Sequence, residues 1–509
     1  MSQIAAGFVR FVRAWRGDVV AIVAGALTPL AFSPVGWWPL SILTCALLLA
    51  LWLFSSPSRA AWRGFLFGLG LFSVGISWVF ISIHYHGYVG LILSLVLTLA
   101  LILVMALFPA LLGYLLGRYF PQGFESRSTR YKLLLVFPAA WVLMEWVRGW
   151  FMTGFPWLNL GYSQTDSFLA GLAPLIGVYG ITWAVVFSAA LLVGLLFDKA
   201  GRIFYLAMLL LLWLVGMGTG MIDWTKPNSA PIKVALLQGN IPQDLKWHPD
   251  VRRPTIELYT ELSRENWDAD LIIWPETALP AFYYEAESFL RDFEQEARDN
   301  NTDLLIGMLT LAKDGRHYYN TMMSIGSERA MYHKNHLVPF TEYLPLKSLL
   351  GGLVSFMQVP MSDFSKGGAD QKPLKVANQY AGISICFEDA FGEEVINALP
   401  KATMLVNVSN DAWFDNSWAP PQHLQMARMR ALETGRPMLR ATNTGITAII
   451  DEKGRIVKKA PQFEVASISA TIQPRTGMTL YAITANWLVV MSALLVLAFS
   501  VWRMKRLPR

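Results

Sequence analysis

The chain has 509 residues, of which 54% are hydrophobic and only 15% charged, and it carries 20 Trp. That balance excludes a single soluble domain and fits a polytopic membrane protein. The net charge of +6 does not point to nucleic acid, because the basic residues flank apolar segments in short loops instead of forming one patch.

Seven apolar segments that read as membrane spans precede residue 225, at about 18–35, 37–54, 62–83, 88–117, 132–150, 169–197 and 203–222. The fourth and sixth are long, which predicts tilt or interfacial ends. Beyond Trp224 the composition changes to charges, turns and short alternating patterns, over roughly 250 residues, the size of one globular domain. A last apolar run spans Leu480 to Trp502 and ends in a basic tail. The predicted organisation is therefore a membrane domain over 1–224, a catalytic domain over 225–473 and a terminal span with its tail over 474–509.

Arg10, Arg13 and Arg16 precede the first span; Arg59 and Arg63 fall between the second and third. Arg118, Arg127, Arg130 and Lys132 separate the fourth and fifth, and Lys199 and Arg202 the sixth and seventh; the tail holds Arg503, Lys505, Arg506 and Arg509. The alternate loops, "SPVG" and "HYHGY", hold no Lys or Arg. With eight spans every basic loop falls on one side, which predicts cytoplasmic termini and a large domain on the opposite, periplasmic face. The N-terminal segment has the charge order of a signal peptide without a convincing cleavage site, so its retention is expected.

Within the large domain, "IKVALLQ", "DLIIWPE", "DLLIGML", "YYNTMMSIG", "YAGISICF", "TMLVNVS" and "PMLRATNTGITAIID" read as strands. Helices are predicted between them at about 251–266, 284–299, 389–399 and 420–434. The alternation implies an α/β layered domain with reactive residues at strand ends.

Three strand ends stand out. Glu276 follows the apolar run "LIIW", where partial desolvation would raise its pKa and suit it to general-base work. Alone, it reads more readily as a helix N-terminal acid or a surface turn. Lys334 lies between His333 and His336, placed either to stabilise an oxyanion or as a solvated loop charge. The two histidines lack a third ligand, so no metal site is expected. Cys386 ends "GISIC" before a helix predicted at about Asp389, whose dipole, with a nearby lysine, would favour thiolate. The bland alternative is an inert buried cysteine. Glu388 and Asp389 oppose thiolate formation, so a nearby cation is needed, and Lys334 is the candidate. Cys45, the only other cysteine, sits in an apolar run, so a disulfide framework is excluded.

Taken in order, "WPE", "HKxHLVPFxEYLP" and "GxxICFE" resemble the nitrilase, or carbon–nitrogen hydrolase, superfamily. The resemblance implies an α-β-β-α sandwich and a Glu-Lys-Cys triad. It makes Glu276 the base, Lys334 the oxyanion stabiliser and Cys386 the nucleophile, with Glu342 and Glu388 as supporting carboxylates. Seven spans before such a domain and one after it, with "GFPWLNLGYSQ", "QGNIPQDLKW" and "NDAWFDNSWAPPQHLQ", resemble the apolipoprotein N-acyltransferase family of the bacterial inner membrane. One departure is Phe387, where some relatives carry Tyr; a role for that hydroxyl would be lost.

That family resemblance implies a phospholipid acyl donor, commonly phosphatidylethanolamine, and a diacylglyceryl apolipoprotein acceptor, used in ping-pong order through a thioester, without a cofactor. Gly154, Pro156 and Trp157, with Trp247, are expected to shape a lipid entrance; interfacial anchoring is the alternative for the tryptophans. Loops 349–357 and 412–414 are candidates to dip into the bilayer, with ordinary loop packing as the alternative. Glu145 and Arg148 lie three apart, positioned to pair on one helical face, or to leave Arg148 for a lipid phosphate. Two competing functions are a membrane-tethered amidase or nitrilase that uses water in the second step, and a transporter with a degenerate extracytoplasmic domain.

Overall fold

The computed structural model describes residues 15–119, 130–339, 341–343 and 364–506. Arg10, Arg13, Arg127 and Arg509 of the charge-asymmetry reading, and the loop 349–357, lie outside them. The chain divides into two compact units. One comprises residues 1–80, 91–222 and 484–509, and the other 81–90 and 223–483.

The second unit holds two six-stranded sheets. The first uses β1 (Ile232–Gln238), β2 (Leu271–Ile273), β3 (Asp303–Leu311), β4 (Tyr318–Ile325) and β5 (Ala330–His333). The second uses β6 (Leu374–Val376), β7 (Gln379–Ile385), β8 (Met404–Ser409), β9 (Met438–Thr442), β10 (Ala448–Ile450) and β11 (Ile456–Lys459), and β12 (Ala466–Ile472) returns to pair antiparallel with β1 in the first. The orders are β12-β1-β2-β3-β4-β5 and β11-β10-β9-β8-β7-β6. Strands β1, β2 and β3 run parallel, as do β7, β8 and β9. The predicted single run 437–451 is two strands, β9 and β10, paired antiparallel around "NTGIT".

Strand alternation explains the layering, because successive side chains point to opposite faces. Val234, Leu236, Leu271 and Ile273 meet Ile383, Ile385, Val406 and Val408 between the sheets. On the outer face of the first sheet, Ala235, Leu237, Ile272 and Trp274 pack on helices Pro249–Arg264 and Tyr283–Asp299, through Tyr259, Leu290 and Phe293. Outside the second sheet, Leu405, Met438 and Ile450 pack on helix Ala419–Thr434 through Leu424, Ala427 and Ala431. Helix, sheet, sheet and helix therefore stack in that order.

The helix predicted over 389–399 is only a 3-10 turn at Cys386–Ala390, one α turn at Gly392–Val395 and a second 3-10 turn. A helix that short adds little dipole field at Cys386.

The first unit is helical. Among the described residues, three helical stretches are long and apolar enough to cross a membrane, namely Leu91–Tyr119, Phe168–Phe197 and Lys199–Gly220, or four if the bent pair Pro57–Gly75 and Val79–His86 counts as one. The expected eight spans are therefore not all of spanning length. Helix Pro39–Leu53 has 15 residues, about 22 Å at 1.5 Å per residue against a hydrocarbon core of about 30 Å. Helices pack closely through small residues, and a Cβ on Gly64 or Gly68 would collide with Pro109 or Ala106 of the neighbouring helix.

Arg63, read as a loop charge, is instead buried within helix Pro57–Gly75, where its Nε lies 3.1 Å from Asp18 Oδ1. Glu145 and Arg148 each hold the segment 154–164. Arg148 donates to the carbonyls of Phe155 and Trp157 and to Asn159 Oδ1, and Glu145 accepts from the Leu160 amide and from Thr182. A buried arginine occupied in this way is not a free phosphate contact.

Candidate active site

The three strand ends converge in the second unit. Glu276 follows β2 in a turn whose next residue, Thr277, has φ +46°. That turn packs on β3 at Gly307, where a Cβ would collide with the Pro275 carbonyl and the Thr277 amide. Glu276 is buried. Its Oε1 accepts from Asn320 Nδ2 at 2.6 Å, and its Oε2 from the Asn410 amide at 2.7 Å.

Lys334 lies one residue beyond β5 and is 1% exposed. Its Nζ donates to Glu342 Oε1 at 2.9 Å and lies 3.8 Å from Glu276 Oε1. Burial works against its charge, but Glu342, Cys386 and Glu276 outweigh burial and raise its pKa above the ordinary lysine value. Lys334 is therefore a fixed cation. Glu342 spends its other oxygen on the Val338 amide at 2.8 Å.

Cys386 follows β7 and opens the next turn with φ +55°, a left-handed conformation that costs an L residue on the order of 1–3 kcal/mol. It is half-buried. Burial first, then the charge of Glu276, push its thiol pKa up, while Lys334 pulls it down. The net shift is upward, which corrects the expectation of a thiolate stabilised by a helix dipole. The resting group is a neutral thiol facing a carboxylate and a cation, so the proton needs a base.

The acids after the cysteine are satisfied separately, and not by Lys334 as the principal partner. Glu388 accepts from the amides of Asn335, His336 and Ile385 at 2.6, 3.0 and 2.7 Å, and from the Tyr332 hydroxyl at 3.1 Å. It ties the lysine loop to the strand that ends before Cys386, and burial pushes its pKa up to about 7. Asp389 belongs to a buried group with His423, Arg440 and Asp411. Burial and Arg440 disfavour the His423 cation, but Asp389 and Asp411 outweigh them and raise its pKa to about 9.

Other polar residues at the site carried no chemistry in the sequence reading. Lys246 is buried, and its Nζ donates to the Glu276 carbonyl at 3.2 Å and the Thr277 hydroxyl at 2.5 Å. Burial lowers its pKa to about 8, against the pull of Glu276. Asn320 and Asn410 were equally silent. The available signal was their setting: "QGNIPQDLKW" and "NDAWF" place amides and a lysine among apolar residues, where polar groups need partners.

The remaining predicted residues lie elsewhere or are otherwise engaged. Trp247 precedes helix Pro249–Arg264 and is 38% exposed. Gly154 and Trp157 belong to the first unit. Gly154 has φ +89°, and Trp157 is buried with its ring 5.1 Å from Trp78, so it is not an exposed interfacial anchor. Trp413 and Phe414 are half-buried, and Ala412 is buried. His333 Nδ1 meets the Thr321 hydroxyl at 2.8 Å, and His336 Nδ1 meets Glu394 at 2.7 Å.

Residues 24–191 match the family model described as the apolipoprotein N-acyltransferase N-terminal domain, and residues 233–479 match that of the carbon-nitrogen hydrolases. The chain is 46% identical over 471 residues to the apolipoprotein N-acyltransferase of Methylococcus capsulatus, covering 92% of each. It is 45% identical over 493 residues to that of Nitrosomonas europaea, covering 95% of this chain and 96% of the relative. With that of Vibrio cholerae the identity is 42% over 501 residues, covering 96% and 97%.

Proposed function

The chain belongs to the apolipoprotein N-acyltransferase family, and on that footing we propose that it moves a fatty acyl chain from a membrane phospholipid to the N-terminal amine of diacylglyceryl-cysteine in apolipoproteins. It is an acyltransferase with a carbon–nitrogen hydrolase domain. The observation that carries the mechanism is Lys334 Nζ, held 2.9 Å from Glu342 and 3.8 Å from Glu276 and coupled electrostatically to Cys386.

Glu276 takes the Cys386 thiol proton as sulfur attacks the ester carbonyl of the lipid. The fixed charge of Lys334 opposes the negative charge growing on the carbonyl oxygen. Glu276 returns the proton to the departing oxygen, releasing lysophospholipid and leaving a thioester on Cys386. The neutral acceptor amine then attacks the thioester. Glu276 takes one amine proton and delivers it to the departing sulfur, giving the amide and the free thiol. The amide is more stable than the thioester, so this step runs forward. Phosphatidylethanolamine is the proposed donor.

The proposed setting is a bacterial inner membrane, with eight helical segments as spans, cytoplasmic termini and the domain 225–473 in the periplasm. The basic loops support that orientation. Three segments of spanning length support membrane residence. Gly154, Trp157 and Trp247 are proposed to shape the lipid entrance, Trp157 through packing.

Incubating the purified full chain with phospholipid carrying a labelled acyl chain tests the scheme. Cys386 gains a hydroxylamine-sensitive label, which a diacylglyceryl peptide removes as an amide. An unchanged label in Cys386→Ala sinks the mechanism; rapid release of free fatty acid without amide would support hydrolysis instead.

A further inference from the structure

The strained residue that presents the thiol is gripped through its own carbonyl. The Cys386 carbonyl accepts from His423 Nε2 at 3.2 Å and from Asn407 Nδ2 at 3.1 Å. His423 Nε2 also meets Asp389 Oδ1 at 2.8 Å. Both neighbours of Nε2 are acceptors, so that nitrogen carries the proton. On the other side of the ring, Nδ1 meets Arg440 Nη2 at 2.9 Å and Asp411 Oδ1 at 3.3 Å. Arg440 reaches Asp411 Oδ2 at 2.9 Å, Asp389 Oδ2 at 3.4 Å and the Asn407 side-chain oxygen.

His423, Arg440, Asp389 and Asp411 are all at most 2% exposed. Burying such a group removes hydration from each ion, and apolar residues of similar volume would often stabilise a fold as well or better. Its geometry is therefore informative. The ring enters from helix Ala419–Thr434, and its Nε2–H is shared between the Asp389 carboxylate at 2.8 Å and the Cys386 carbonyl at 3.2 Å, which couples the buried ionic group to the backbone that presents the thiol. None of these four residues takes part in the proton transfers set out above.

We propose that His423 is a positioning residue, which holds the Cys386 carbonyl through its Nε2–H so that the left-handed turn persists and the thiol stays aimed while the acyl group is exchanged. The assignment of acyl exchange rests on the proposed function; the grip on the carbonyl does not. Burial gives that hydrogen bond its value, because a carbonyl that lost its donors there would have no water to replace them. Asn407 on β8 supplies the second donor and also links to Ser384 on the neighbouring β7, so it shares the load without replacing the ring.

Two substitutions of similar polarity separate positioning from bulk. In His423→Gln the amide nitrogen reaches about as far as Nε2; in His423→Asn it reaches only as far as Nδ1. In the full-length enzyme, His423→Gln is expected to keep acyl-enzyme formation within about 3-fold of the parent. His423→Asn is expected to lose about 10-fold or more in kcat, with KM for the phospholipid unchanged, since an interaction made at the reacting turn is lost and lipid binding is not. The two variants should melt within a few degrees of each other. Alkylation of Cys386 by iodoacetamide, which needs no lipid, should be slowed or accelerated in His423→Asn and remain parental in His423→Gln. Equal kinetics in the two variants, at equal melting temperature, overturn the proposal. If the parent takes no acyl label but the alkylation difference between the variants holds, the functional reading fails and the positioning role stands.

Discussion

The backbone amide of Asn410 donates to Oε2 of Glu276 over 2.7 Å, although 134 residues separate them in the chain. Asn410 follows β8 of the second sheet, and Glu276 follows β2 of the first. Glu276, the proposed base, is therefore aimed by the sheet that carries Cys386, the proposed nucleophile. With Asn320 on Oε1, both oxygens are oriented by donors that suit the charged carboxylate.

Asn320→Ala removes the 2.6 Å bond to Glu276. Acyl-enzyme formation is expected to slow about 10- to 100-fold, the equivalent of about 1.5–3 kcal/mol for a hydrogen bond to a charged group. Single-turnover labelling of Cys386 measures this. An unchanged rate would show that Asn410 and Lys334 suffice to orient the base.

Glu342→Gln removes the carboxylate hydrogen-bonded to Lys334 and leaves Glu276 3.8 Å away. Breaking a buried pair costs about 3–5 kcal/mol when a charge is left uncompensated, and the surviving neighbour places the expected loss near 3 kcal/mol or below. Urea unfolding of parent and variant reads it. Activity should fall too, because the lysine loses the partner that fixes its position.

Glu276 is read as the base for Cys386, yet its charge also holds the thiol pKa up. Glu276→Gln should therefore abolish acyl transfer and, at the same time, move the pH of half-maximal alkylation of Cys386 downward. A midpoint that moves upward would mean that the Glu276 charge does not act on the thiol.

The fourth expectation concerns pH and Glu388. Its folded pKa of about 7 lies above an unfolded value near 4.3. The folded chain then binds this proton more tightly, so between those values the group adds stability as pH falls and withdraws it as pH rises toward 7. Activity should run the other way, because protonation weakens acceptance from Asn335, His336 and Ile385. The expected profile is an acid limb near pH 7 with no matching loss of the fold. Glu388→Gln should remove that limb and leave a low, flat rate; a limb that persists in the variant assigns it to another group.

The strand ends were legible because apolar runs stop abruptly at Glu276, before Lys334 and at Cys386. Glu342 and Glu388 came only with the family resemblance. What sequence spacing does not carry is which distant polar residue meets which. His423, Arg440 and Asp411 come from a helix, a strand and a turn, and only the packing of helix Ala419–Thr434 on the second sheet brings them beneath the cysteine turn. Lys334, expected to offset both acids at the thiol, does pull against the burial that raises the pKa of Cys386 and of Glu388, but for the same reason the sequence did not show that Asp389 is met by Arg440 and His423. The helix after Cys386 failed because Glu388 and Asp389 turn toward partners in the core, and those contacts prevail over local helical preference. Arg63 was misplaced because an arginine buried against Asp18 reads in sequence like any loop charge.

One consequence follows from the make-up of the second unit, which includes residues 81–90. His86 in that piece meets Asp415 at 3.1 Å and packs edge-on to Trp413, across 329 residues of chain. At about 5–20 residues per second of synthesis, the early piece waits on the order of tens of seconds for its counterpart. A polypeptide starting at 223 would be born without it, with Asp415 and Trp413 missing a neighbour however well the sandwich folded. Biogenesis of this enzyme thus has a built-in order, in which a turn made late in the domain closes onto a piece of chain made well before the rest of that domain begins.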